Sequence, residues 1–237
     1  MRTQFLSLSY TANWQTKFLY FFLLPLINLL LLILIDVQYT GKFNWYVPVA
    51  SVAVDAATLS LTTMSELLVK DVNLGITVEM LSKNPYSFYY WSTKSIVSII
   101  LGLLLGIINL VLLFVFGVPH DLLIKCLLVL PLFCIFGTII GFTSWCISWQ
   151  MSNPYFCSNL FSSVLTLVSG VLVLVSKYPL WLKIISNAFP FYSLISFIRT
   201  GLMDIVFGTL VAVIWLIVGI VAYILQIKYV LRTRINN

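Results

Sequence analysis

The chain has 237 residues, of which 61% are hydrophobic and only 8% charged, with a formal net charge of +6. A water-soluble globular domain carries roughly 25% charged residues, so lipid is the solvent for most of this sequence. The positive balance points to lipid headgroups and away from nucleic acid, whose binders gather their basic residues on one soluble face.

Residues Met1 to Lys17 place Leu6, Tyr10, Trp14 and Phe18 at four-residue spacing among Thr, Ser, Asn and Gln. That pattern predicts an interfacial helix, or a frayed terminus, ahead of the first span. A spanning helix needs roughly 20 mostly apolar residues. Six stretches qualify, over 18–35, 45–64, 95–116, 122–145, 159–175 and 205–227. They use nearly the whole length, so 1–237 reads as a single all-α polytopic transmembrane domain. The first run lacks a small-residue cleavage site and contains Pro25 and Asn28, which favours a retained span over a removed signal peptide.

The second span places Asp55 about midway through the hydrocarbon. A carboxylate there costs about 2.5–3.5 kcal/mol on insertion scales, so it should face protein or a wet cavity. Pro48, Ser51, Asp55, Thr58 and Thr62 make one polar stripe down the helix, with Ala53, Ala57 and Ser60 making a small-residue stripe nearby. Two readings stand. Ser51, Asp55, Thr58 and Thr62 line a translocation path or a proton-linked site, or Asp55 is a carboxyl, ionised or protonated, hydrogen-bonded to neighbouring Ser and Thr hydroxyls at a helix contact.

The stretch 65–94 is the only long interruption with mixed charge, holding Glu66, Lys70, Asp71, Glu79, Lys83 and Lys94. An apolar stripe at i, i+4 steps runs through Leu68, Val72, Ile76 and Met80. The pattern predicts one surface-lying helix from Glu66 to Ser82. Lys83, Asn84 and Pro85 end it, because Pro disfavours helical geometry in the residue before it and suits the first turn of a following helix. Tyr86, Phe88, Tyr89, Tyr90 and Trp91 then form an aromatic collar at the membrane face.

Gly102 and Gly106 in the third span, and Gly137 and Gly141 in the fourth, are spaced for close helix contact. His120 and Asp121 share the tight turn between these spans and read as a solvated pair. Cys126, Cys134, Cys146 and Cys157 form no CxxC pair and read as small apolar fillers. After a short uncharged loop and the fifth span, 177–204 is cut by Pro179 and Pro190 into amphipathic pieces too short to span. Irregular backbone at membrane depth survives only inside protein or along a cavity, so this segment should dip into or lie on the outer leaflet.

Orientation follows from Lys and Arg near the spans. With the first end inside, Arg2, Lys17, Lys70, Lys83, Lys94, Lys228, Arg232 and Arg234 fall on the cytoplasmic side, and Lys42, Lys125, Lys177, Lys183 and Arg199 outside. The tail after Asp204 is purely basic, which supports an inside C-terminus and so, with the first end inside, both termini in the cytoplasm. No enzyme site assembles. One histidine excludes HExxH, and GxSxG, CxxC and GxxxxGK[ST] are all missing from the sequence.

The loop after the second span carries Gly75, Thr77, Glu79, Pro85, Ser87 and Lys94. The region before the last span carries Ser169, Gly170, Pro179, Leu180, Trp181, Asn187, Pro190, Tyr192 and Arg199. In this order and in these places the residues resemble the membrane subunit of ABC-2 type transporters. Two departures are that Gly75 and Glu79 stand one residue further apart than usual, and that Ala188 and Phe189 separate Asn187 from Pro190.

The resemblance implies six transmembrane helices of the ABC-2 exporter type, with a cytoplasmic coupling helix and short re-entrant or outer helices between spans five and six. It implies a separate ABC ATPase subunit that holds ATP and magnesium, and a second permease subunit, identical or paralogous. Leu68, Val72, Gly75, Ile76, Glu79, Met80 and Pro85 would then contact the ATPase. Pro179, Trp181, Asn187, Pro190, Tyr192 and Arg199 would form the outer gate. The cargo expected for apolar walls is a hydrophobic or amphipathic substrate such as an antimicrobial peptide or drug. The alternatives are export of a lipid-linked polysaccharide, or a non-transporting membrane anchor for an ATPase.

Overall fold

The computed structural model describes residue 4 and residues 8–11, 13–171, 175, 178–200 and 205–235, the side chains of 78, 82 and 230–235 apart. Leu6, Arg2, Lys177 and Asp204, and the side chains of Arg232 and Arg234, lie outside the described residues. Among those described there are nine α-helices: α1 (Trp14–Thr40, with a π-helical turn at Leu19–Leu23), α2 (Tyr46–Asn73), α3 (Ile76–Lys83), α4 (Phe88–Val115), α5 (His120–Ser148), α6 (Phe156–Val168), α7 (Leu180–Asn187), α8 (Phe191–Thr200) and α9 (Ile205–Ile235). Helices α1, α2, α4, α5 and α9 are long and apolar enough to cross a membrane. The chain is a multi-pass helical membrane protein.

The bundle is built around α2, which packs mainly on α4 and α5. Its 28 residues extend about 42 Å at 1.5 Å per residue. Small side chains make the tight packing possible, with Ala50, Ala53, Ala56, Ala57 and Ser60 all buried. Of the four glycines expected at helix contacts, Gly102, Gly137 and Gly141 meet α2 directly, while Gly106 meets Leu130 of α5. A Cβ placed at Gly137 would lie 2.3 Å from the Ala57 carbonyl oxygen, and one at Gly141 2.4 Å from that of Leu61. At Gly102 a Cβ would lie 2.7 Å from the Ala56 carbonyl oxygen. Backbone therefore rests on backbone, the small-residue contact that substitutes for a hydrophobic drive in lipid.

Three boundaries differ from the sequence reading. The helix expected from Glu66 to Ser82 is two helices, because Gly75 takes a left-handed conformation (φ +72°). Residues 66–73 simply extend the second span. The third span begins earlier than expected, at Phe88, so the aromatic collar is helical and belongs to it; Phe88 and Tyr89 face outward while Trp91 turns into the bundle. The crossing expected over 159–175 is a 13-residue helix, α6, that stops at Val168. At 1.5 Å per residue it rises about 20 Å, short of the roughly 30 Å hydrocarbon thickness. Gly170, at φ +85°, turns the chain just beyond it.

Before α1, Leu8 and Tyr10 are buried, and the Tyr10 hydroxyl shares a hydrogen bond with Thr63 Oγ1 of α2. Burial holds the Tyr10 phenol well above its usual pKa. From the last helix, Tyr223 of α9 donates to the Pro85 carbonyl at 2.7 Å. Tyr10, ahead of α1, and Tyr223, in the second half of α9, thus both contact the end of the bundle that carries α3. Helices α7 and α8 lie at the opposite end and meet at 98°.

Candidate functional site

Three regions hold the residues singled out in the sequence, and the α3 end holds most of them. A short amphipathic helix can act on its parent bundle only if its base is fixed and a face is left free. Asp71, in the last turn of α2, and Lys94, two turns into α4, form an ion pair at 2.7 Å, with the lysine side chain 1% exposed. Lys94 Nζ also donates to the Leu67 carbonyl at 3.2 Å and lies 5.0 Å from the centre of the Tyr90 ring. The Tyr90 hydroxyl donates to the same carboxylate oxygen at 2.6 Å. This cluster clamps the two stems that carry α3. Reading 65–94 as a water-facing stretch is corrected here: Asp71 and Lys94 are buried against each other because an isolated charge at that depth would be costly.

The seven residues expected to contact an ATPase are not on one open face. Leu68 is wholly buried among Met64, Val69, Trp145, Cys146, Tyr223 and Ile227. Its place in the contact stripe is therefore withdrawn, since it is already covered by α5 and α9. Val72 is half-buried on the same cluster, and Met80 is half-buried with its Sδ 4.0 Å from the Tyr223 hydroxyl. Pro85 is half-buried, its carbonyl accepting from Tyr223 and, at 3.5 Å, from Trp91 Nε1. Gly75, Ile76 and Glu79 are exposed. Glu79 pairs with Lys83 at 2.6 Å, and that hydrogen bond holds its carboxyl below the usual carboxylate range. Two turns before the end of α2, Glu66 bonds Lys70 at 2.6 Å and accepts from the Ser9 hydroxyl at 3.1 Å.

The polar stripe of α2 turns toward α1. Asp55 Oδ1 accepts from Asn28 Nδ2 at 2.7 Å. Thr58 and Thr62 donate back to the carbonyls of Val54 and Thr58 on their own helix. Neither threonine bonds Asp55, which removes the threonine part of the expected hydroxyl network. Ser51 Oγ and Asp55 Oδ2 are buried with no hydrogen-bond partner among the described residues.

At the far end, Pro179 and Trp181 are exposed and Asn187 and Tyr192 half-buried, while Pro190 is buried at the bend between α7 and α8. Arg199 is exposed and lies 5.4 Å from the centre of the Tyr46 ring, within cation–π range. The bend is pinned by Trp215 of α9, whose Nε1 donates to the Ala188 carbonyl at 2.7 Å. Phe161, Phe189 and Trp215 close a ring cluster around it. The six gate residues thus spread along both arms of a fixed corner and do not converge on one point. Helix α8 is held inward by Phe191, stacked at 5.8 Å on Phe133 of α5.

His120 and Asp121 do not pair: the carboxylate bonds Lys125 at 2.7 Å, and the imidazole lies against Phe114. The cysteines are free and buried. Among the described residues no three of His, Cys, Asp and Glu gather to hold a metal ion.

Sequence reasoning missed the Asp71–Tyr90–Lys94 cluster and the role of Asn28. Tyr90 and Lys94 stand one helical turn apart, which was readable as a pair on one face. Asn28 inside the first apolar run was also a signal, since a buried amide seeks a partner. No family model matches the chain, and neither does any curated protein or solved structure.

Proposed function

We propose that the chain is the permease subunit of an ATP-driven exporter of the ABC-2 type, moving a hydrophobic or amphipathic substrate such as a peptide or drug out through the plasma membrane. The observation that carries this reading is the mounting of α3. It is a short amphipathic helix slung between two spans, at the end of the bundle that Tyr10 and Tyr223 contact. Its stems are clamped by Asp71, Tyr90 and Lys94, and its exit at Pro85 is tied to α9 through Tyr223. Glu79 and Lys83 are open to solvent and Ile76 is 42% exposed. A rigidly rooted helix with a free face is what force transfer from a separate ATPase requires. In this reading the ATPase binds ATP and magnesium, α3 is its docking helix on the cytoplasmic side, and a second permease subunit completes the membrane part.

The docking face is Ile76, Glu79 and the exposed turn at Gly75, with Leu68 reassigned to the core. The test is affinity purification of the full chain from its native membrane, with ATP hydrolysis measured on the eluate. Wild-type protein should elute with an ATPase subunit, and Ile76→Asp should elute folded without it. A folded wild-type chain that brings no ATPase, or an Ile76→Asp chain that retains it, overturns the reading. Leu68→Asp is the contrasting variant and should fail to accumulate, because it places a charge in the core.

A further inference from the structure

Asp55 lies nine residues beyond Tyr46, the first residue of α2, about 14 Å along the helix at 1.5 Å per residue, well inside the apolar zone. Only one of its carboxyl oxygens is satisfied. Oδ1 accepts from Asn28, while Oδ2 is shut off from the surface with no hydrogen-bond partner among the described residues. One turn earlier, Ser51 Oγ, on a residue 1% exposed, is in the same condition. The two groups adjoin on one helix face. Ser51 brings its own hydroxyl proton, so the group that calls for an explanation is the carboxyl: a buried acid with one oxygen on a neutral amide and the other without a partner among the described residues.

The helices packed on α2 bring no compensating charge. From α1 the facing group is the neutral Asn28, and among the described residues of α4, α5, α6 and α8 no Asp, Glu, Lys, Arg or His acts on Asp55. A metal ion needs more than this site offers, since hard cations take roughly six or more oxygen ligands and only two oxygens are free here. A single proton needs no further ligand. A Ser51–Oδ2 hydrogen bond can form with either group as donor, but only with a proton taken up from water and bonded to Oδ2, donating to Ser51 Oγ, is no net charge left in the apolar zone.

We propose that Asp55 and Ser51 form a proton-binding site inside the membrane, the proton carried on Asp55 Oδ2 and donated to Ser51 Oγ, with Asn28 fixing the carboxyl through Oδ1. The proposal is independent of whether the chain is a permease.

The test uses the full chain in detergent and in liposomes. Infrared spectra of the wild type should contain a carboxylic C=O stretching band that is missing in Asp55→Asn and fades as pH is raised. In the wild type, dicyclohexylcarbodiimide, which adds to protonated carboxyls in apolar surroundings, should label Asp55 in peptide mass maps, with labelling lost on the same pH rise. This second measurement serves if Asp55→Asn does not accumulate. Ser51→Ala removes the acceptor, so the pH at which label or band is half lost should fall, reflecting a roughly threefold to tenfold weaker hold on the proton. The proposal is overturned if neither band nor label is found at Asp55, if Ser51→Ala leaves the midpoint unmoved or raises it, as loss of a serine that donates to the carboxylate would, or if sodium chloride but not choline chloride protects Asp55 from labelling.

Discussion

Replacing Lys94 by Met tests the clamp beneath α3. The lysine side chain is 1% exposed and that of Asp71 13%, with Nζ and Oδ2 2.7 Å apart. Methionine fills similar volume but leaves the Asp71 carboxylate buried, with the Tyr90 hydroxyl at 2.6 Å as its remaining side-chain bond. Removing one partner of a buried pair costs about 3–5 kcal/mol, mostly the penalty of the abandoned charge. At about 2–4 °C per kcal/mol for a chain of this size, the melting temperature should fall by roughly 6–20 °C. Asp71→Asn should cause a loss of similar kind by stranding the lysine. The double variant Asp71→Asn/Lys94→Met strands neither, and replacing a buried pair as a whole is often close to neutral. It should recover most of the loss, to within about 1 kcal/mol of wild type. The assay is heating of purified protein in detergent followed by size-exclusion chromatography on the surviving monodisperse fraction. A single variant that melts with the wild type, or a double variant that loses the full sum of the two singles, refutes the account, because independent sites add and coupled ones do not.

Gly137→Ala should destabilise by about 1–3 kcal/mol or more, because its new methyl group would meet the Ala57 backbone carbonyl at 2.3 Å, where no rotamer change gives relief. Gly106→Ala meets only the flexible tip of Leu130 at 2.7 Å and should cost clearly less; equal melting temperatures for the two would contradict the backbone contact. The Glu79–Lys83 pair is fully exposed, so Glu79→Gln should leave the melting temperature unchanged at neutral pH. Because Lys83 lowers the folded Glu79 pKa, the pair supports α3 above the ordinary carboxylate range and loses that support as pH falls through the lowered value. Hydrogen exchange of 76–83 should accordingly quicken only in acid, and quickening near neutral pH would count against the pair.

The spans were legible in the sequence wherever an apolar run is long and unbroken, because lipid demands about 20 such residues whatever the rest of the chain does. The amphipathic character of 76–83 and its stop at Pro85 were legible too. The break at Gly75 was within reach, since a glycine following Asn73 and Leu74 at the end of a periodic stretch is a common helix terminus, but continuous i, i+4 spacing from Leu68 to Met80 masked it. Gly170 hid in the same way inside the run taken for the fifth span. The burial of Leu68 was not readable locally, because Trp145 and Tyr223, which cover it, come from α5 and α9. Charge misled in one direction. Asp71 and Lys94 look like solvated residues in composition, and only their meeting across the loop makes burial tolerable.

The contacts of Gly137 and Gly141 leave no side-chain cushion between α2 and α5, and at Gly102 only the short Ser60 hydroxyl stands between α2 and α4 beside the Ala56 carbonyl. Soft side chains let helices slide by changing rotamers, whereas polypeptide pressed against polypeptide has no such slack. Helices α2, α4 and α5 must therefore travel as one block, and a rearrangement of the bundle has its seams elsewhere, along the lightly covered α1 and α9.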